Sequence, residues 1–131
     1  MSDIHAIKPW KFTNGSPSDA FNVIKNVIST YQPGHDNIDG GGFKIIAEDD
    51  SKRYIYVQFE SLRRGFIDDL EMAVNDDSTV QIVSSSRLGY LDFQVNAIRL
   101  NYLADKFKSS GFEVMPITPK SHPIYFDSNP I

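Results

Sequence analysis

Residues 66–99 read FIDDLEMAVNDDSTVQIVSSSRLGYLDFQVNAIR, and the fold turns on how this stretch divides. Alternate side chains of a strand point to opposite faces. Phe66, Asp68, Leu70, Met72 and Val74 then share one face, and Ile67, Asp69, Glu71 and Ala73 share the other. The first set is apolar except for Asp68, so one carboxylate is directed at the core. Asn75-Asp76-Asp77-Ser78-Thr79 is a polar turn cluster between two strand patterns, which signals a hairpin. Pairing Val74 with Val80 sets Asp68 opposite Ser86 and Asp69 opposite Ser85, with Arg87 diagonal to Asp69 on the second face. A slip of one residue would exchange the faces.

A helix follows from Phe93 to about Ser109, with Asp92 placed to cap its N-terminus. At roughly 100° per residue, Val95, Ile98, Leu100, Tyr102, Leu103 and Phe107 form one broad apolar arc. Arg99 and Asn96 fall inside that arc, while Asn101, Asp105 and Lys108 lie opposite. An unpaired buried charge is very costly, so Arg99 is expected to meet Asp68 or Asp92.

The run F-I-D-D-L-E at Phe66–Glu71, S-x-S-R-x-G-Y-x-D at Ser84–Asp92 and V-N-x-x-R at Val95–Arg99 resembles the DUF1499 family. The upstream segment from Ile7 to Ser16, which carries Trp10 and Phe12, is also similar, so the resemblance covers most of residues 5–108. That family occurs in bacteria, cyanobacteria and plants and has no agreed function, so the resemblance implies no reaction. The chain departs from the family's pattern at Val83, where a basic residue is usual, and at Gln94, where a glycine is usual. It also lacks the short cysteine-containing segment that many members carry ahead of the Ile7 region.

The chain has 131 residues, which fits one domain, and 40% hydrophobic residues give material for a core. Its net charge of −4 disfavours nucleic acid, which usually meets a basic patch. The absence of cysteine removes disulfides, thiolate metal sites and a cysteine nucleophile. No apolar run reaches membrane-span length, and Met1–His5 does not read as a signal peptide, so a soluble chain is expected, cytoplasmic or inside an organelle.

Residues 1–15 read as an irregular arm in which Trp10 anchors against the body. Ser16 as N-cap, Pro17 at the first helical position and Asp19 in the first turn start a helix. Its stripe is Ala20, Ile24, Val27, Ile28 and Tyr31, and Pro33-Gly34 ends it. In the segment His35–Gly42, three residues (His35, Asp36, Asp39) suggest metal ligands and three glycines suggest a phosphate cradle. The spacing matches neither an EF-hand nor a P-loop, so it is read as a flexible connection. Strands follow at 43–48 and 53–60, the second with Ile55, Val57 and Phe59 on one face and Tyr54, Tyr56 and Gln58 on the other. Gly111 ends the last helix, and residues 112–131 form an extended tail with four prolines, in which Val114 or Ile117 adds an edge contact.

The expected fold is therefore α+β: helix, four-stranded antiparallel meander, helix, with both helices on one face. Residues 16–111 form its αββββα core. Two polar sets stand out. Asp68, Ser84, Ser86, Asp92, Asn96 and Arg99 form a candidate inward network joining strand to helix. Tyr54, Tyr56, Asp69, Glu71 and Arg87 form a candidate binding set on the open face. The three histidines, His5, His35 and His122, lie outside the motif, so no nucleophile–base pair is visible among Ser84, Ser85 and Ser86. No cofactor or metal is expected. The favoured reading is a non-catalytic binding or assembly module that meets a protein, a small ligand or a second copy on the open face. The alternative is an enzyme or small-anion-binding protein with a pocket around Asp68, Arg87 and Asp92.

Overall fold

A computed structural model describes residues 9–61, 67–86 and 95–114. In chain order the elements are β1 (Trp10–Phe12), α1 (Pro17–Ser29), a 3-10 turn (His35–Asn37), β2 (Gly42–Asp49), β3 (Tyr54–Glu60), β4 (Ile67–Val74), β5 (Thr79–Ser86), α2 (Val95–Ser109) and β6 (Phe112–Glu113). Among the described residues the sheet is antiparallel throughout, with six strands in the order β2-β3-β4-β5-β1-β6.

The expected meander is present as β2–β5, but it is not the whole sheet. Trp10–Phe12 is a strand where an irregular arm was expected, and Phe112–Glu113 is a strand where only an edge contact was expected. The cause is aromatic burial at the two ends. Trp10 and Phe12 point inward from β1, and Phe112 packs against Phe12 at 4.8 Å and Phe107 at 5.2 Å between ring centroids. Burying a large apolar side chain is worth about 1.5–3 kcal/mol, enough to hold a strand of two or three residues in place. Residues 115–131 of the tail, with Ile117 and His122, lie outside the described residues.

The central hairpin has the register expected from its alternation: Val74 faces Val80, Asp69 faces Ser85 and Asp68 faces Ser86. Its turn closes through Asn75 N–H to Thr79 O at 2.8 Å and Ser78 N–H to Asn75 O at 3.0 Å. On one face Ile55, Val57, Phe59, Leu70, Met72, Val74, Val80 and Ile82 are buried. They join Ala20, Phe21, Ile24 and Ile28 of α1 and Ala97, Leu100, Leu103, Ala104 and Phe107 of α2 in one core.

Both helix boundaries follow local chemistry. Ser16 and Asp19 form a reciprocal capping box, with Asp19 N–H donating to Ser16 Oγ and Ser16 N–H to Asp19 Oδ2. The helix stops at Ser29, so Tyr31, expected on its stripe, lies just beyond it. Gly111, at φ +101°, ends α2, and a Cβ there would collide with the Asn14 side chain. The expected cap, Asp92, lies outside the described residues.

Candidate functional site

Two polar clusters occupy opposite faces of the sheet. The inner one centres on Arg99, which α2 directs into the core and which is 1% exposed. Its Nη2 donates to Asp68 Oδ2 at 2.9 Å, so the expected strand-to-helix ion pair is present. A second carboxylate is bound more fully. Arg99 Nε donates to Asp39 Oδ2 at 2.8 Å and Nη2 to Asp39 Oδ1 at 2.6 Å, a forked contact. The guanidinium also lies 4.3 Å from the Phe59 ring centroid, within cation–π range. Burial pulls the Arg99 pKa down, but the hydrogen bond and charge of Asp39, and then the charge of Asp68, outweigh it and raise it above the ordinary arginine range.

Asp39 is therefore the partner that pattern reading missed. It sits in the segment read as a flexible connection, yet it is 2% exposed and central. The backbone reaches this point through two left-handed aspartates, Asp36 at φ +50° and Asp39 at φ +55°. Gly41 then passes so close to β3 that a Cβ would lie 2.9 Å from Glu60 O. The signal available in the sequence was Asp next to Gly-Gly-Gly, a place where left-handed backbone is tolerated.

The inner cluster extends outward through aromatic hydroxyl and imidazole groups. Tyr31 donates its hydroxyl proton to Asp39 Oδ2, and His35 Nε2 lies 2.6 Å from Tyr31 Oη. Burial, then the charge and hydrogen bond of Asp39, push the Tyr31 hydroxyl well above the usual tyrosine range, with Arg99 opposing. The His35 ring stacks on Tyr102 at 3.7 Å and 15°. Among the remaining predicted members, Ser84 is fully buried on the same face. The side chains of Ser86 and Asn96, and the whole of Asp92, lie outside the described residues.

The outer cluster is a diagonal lattice on the opposite face. Register places Tyr56 opposite Glu71 and Gln58 opposite Asp69. Each tyrosine reaches one pair along: Tyr54 donates to Glu71 and Tyr56 to Asp69, while Gln58 Nε2 donates to Tyr56 Oη at 2.9 Å. The structure thus brings together four of the five open-face residues singled out in the sequence. The fifth, Arg87, lies outside the described residues. Burial and the Glu71 carboxylate push the Tyr54 hydroxyl up to about 12. Val83, opposite Glu71, is 45% exposed, and Ile46, at the β2 bulge, is 42% exposed. At one end of the sheet a groove of about 260 Å³ runs between Gly41, Gly42 and Lys44 of the β2 end and Gln58, Glu60 and Ile67 of β3 and β4.

The arrangement has consequences for the chemistry considered. Asp68 is buried and held by Arg99, so it faces no solvent. Among the described residues no group of three His, Asp or Glu side chains is set to hold a metal ion. His35, Asp36 and Asp39 do not converge: Asp39 turns to Arg99, whereas the Asp36 side chain is largely exposed. No described helix is long and apolar enough to cross a membrane.

A family model described as "Protein of unknown function (DUF1499)" matches residues 2–107, which takes in both clusters and five of the six strands. The chain belongs to the DUF1499 family. Membership assigns no reaction, so the DUF1499 chain must be read from its own geometry. No curated protein and no solved structure matches it.

Proposed function

We propose that this DUF1499 chain is a non-catalytic binding module that meets a protein partner on the open face of its sheet. The observation that supports the reading is the Tyr54–Glu71 and Tyr56–Asp69 lattice. It fixes two half-exposed aromatic rings and two carboxylates in place before anything binds, which lowers the ordering cost of association. Exposed Val83 lies in the same row as Tyr56 and Glu71 and supplies an apolar contact within the polar surface. Carboxylates outnumber cations at the described positions of this face, with Asp49, Glu60, Asp69, Glu71 and Glu113 against Lys11 and Lys44, so a basic or neutral partner fits better than nucleic acid. A small ligand or a second copy of the chain are the other occupants the test separates.

The enzyme or anion-site reading is the weaker one. It needs Asp68 in a pocket, and Asp68 is instead tied to Arg99 inside the core.

A photo-crosslinking side chain placed at Val83 and, as control, at exposed Asn22 of α1 tests the proposal in cells that make the protein. The expected result is a discrete heavier adduct from position 83 only, lost when Tyr56→Ala is added. An adduct of twice the chain mass indicates self-association instead. Equal labelling from both positions, or none from position 83, overturns the reading.

A further inference from the structure

The protons around His35 can be counted. Asp39 accepts guanidinium N–H groups on both oxygens, so it is a carboxylate with no proton to give. Tyr31 Oη touches both Asp39 Oδ2 and His35 Nε2, and it has one proton. That proton goes to Asp39, which can only accept. His35 Nε2 must then carry a proton and donate it to Tyr31 Oη, at 2.6 Å. The other ring nitrogen, Nδ1, lies 3.1 Å from Asp36 Oδ2, and this second carboxylate is also only an acceptor. Both ring nitrogens thus face acceptors, an arrangement that a ring carrying both protons satisfies.

We propose that the His35–Asp36 contact is a proton-gated catch on the 3-10 turn, closed while the ring holds both protons and released when Nδ1 loses its proton. Tyr31 and Asp39 fix which proton leaves. The neutral ring keeps Nε2–H toward Tyr31 Oη, because the Tyr31 proton is given to Asp39 and a bare Nε2 would face a bare oxygen. A lone pair on Nδ1 then faces the Asp36 carboxylate, and attraction turns to repulsion. Asp36 is free to respond: its side chain is exposed, and among the described residues it makes no other hydrogen bond. Its backbone is at φ +50°, a conformation most side chains avoid. The ring itself stays seated, stacked on Tyr102 of α2.

Among the described residues, the following charged and titratable groups surround the ring. Asp36 is on its own turn, and Tyr31 and Asp39 flank it in the loop after α1. On α2, Tyr102 stacks on it, Arg99 lies behind Asp39, and Lys106 lies 5.4 Å from the Tyr102 ring centroid. Release is therefore confined to the turn, since the Asp39–Arg99–Asp68 core does not depend on the Nδ1 proton.

Nuclear magnetic resonance on the full chain at about pH 5 and about pH 9 tests this. Ring nitrogen shifts report the proton positions, and amide relaxation reports the order of residues 35–37 against Leu100–Leu103. At the lower pH both ring nitrogens are expected to be protonated and the turn as ordered as α2. At the higher pH Nε2 alone keeps its proton, the Asp36 and Asn37 amides lose order, and α2 is unchanged. In Asp36→Asn and in His35→Gln the order of the turn is expected to be the same at both pH values. A proton on Nδ1 rather than Nε2 at the higher pH overturns the assignment. A wild-type turn equally ordered at both pH values, or a pH response that survives His35→Gln, overturns the catch.

Discussion

Asp68 and Asp69 are adjacent in β4 and meet opposite fates. Asp68 points into the core and is 4% exposed beside Arg99, whereas Asp69 points out and accepts from the half-exposed Tyr56. The same side chain, one residue apart, is in one case part of a cluster that the fold cannot lose and in the other part of a surface that the fold tolerates. The difference is dielectric. A buried carboxylate without its cation costs several kcal/mol, while water replaces a lost bond at the surface.

The largest test of that contrast is Asp39→Ala. It leaves Arg99 with a buried charge only partly compensated and is expected to cost about 3–5 kcal/mol, read as a lower urea midpoint at unchanged slope. A loss below about 1 kcal/mol would show that water reaches the inner cluster and would erase the distinction. Tyr31→Phe keeps the packing and removes one donor to a charged, buried acceptor, so the expected loss is about 1.5–3 kcal/mol by the same measurement. On the outer face Tyr56→Phe is expected to cost about 0.5 kcal/mol, because Asp69 regains water. A cost equal to that of Tyr31→Phe would mean that the outer lattice supports the fold as well.

The smallest effect is one of alkaline pH. Burial and Glu71 raise the Tyr54 hydroxyl from its ordinary 10 to about 12, so the folded state holds this proton longer than the unfolded chain does. Stability from this group is complete below about pH 10 and is lost as pH rises toward about 12. Tyr54→Phe is expected to flatten that part of a stability-against-pH curve. Tyr31, raised further in the same direction, steepens it at still higher pH.

Much of this contrast was legible in the sequence. A period-two pattern with one misplaced Asp located Asp68 inside, and a helical arc with one misplaced Arg located Arg99 beside it. Both are violations of a regular pattern, and a regular pattern is what makes a violation visible. Asp39 broke no pattern. It lies in a loop 60 residues from Arg99, and its position depends on left-handed backbone that leaves no periodic trace. The end strands were hidden for a related reason. Two or three residues carry too little alternation to read, and their pairing partners are distant: Lys11 faces Glu113 and Trp10 faces Val80. The open-face set was legible because β3 alternates strictly, although the diagonal choice of carboxylate needed the register.

The placement of β1 between β5 and β6 bears on the order in which the molecule assembles. Strands β2 to β5 pair with their sequence neighbours, so they can zip locally. The β1 strand closes loops that span nearly the whole chain, and Thr13 Oγ1 reaches Gly111 O across a separation of 98 residues. Closing loops of that length is the slow part of folding for chains of this kind. The β1 strand is therefore expected to join the sheet after the meander has formed, with β6 pairing along its far side.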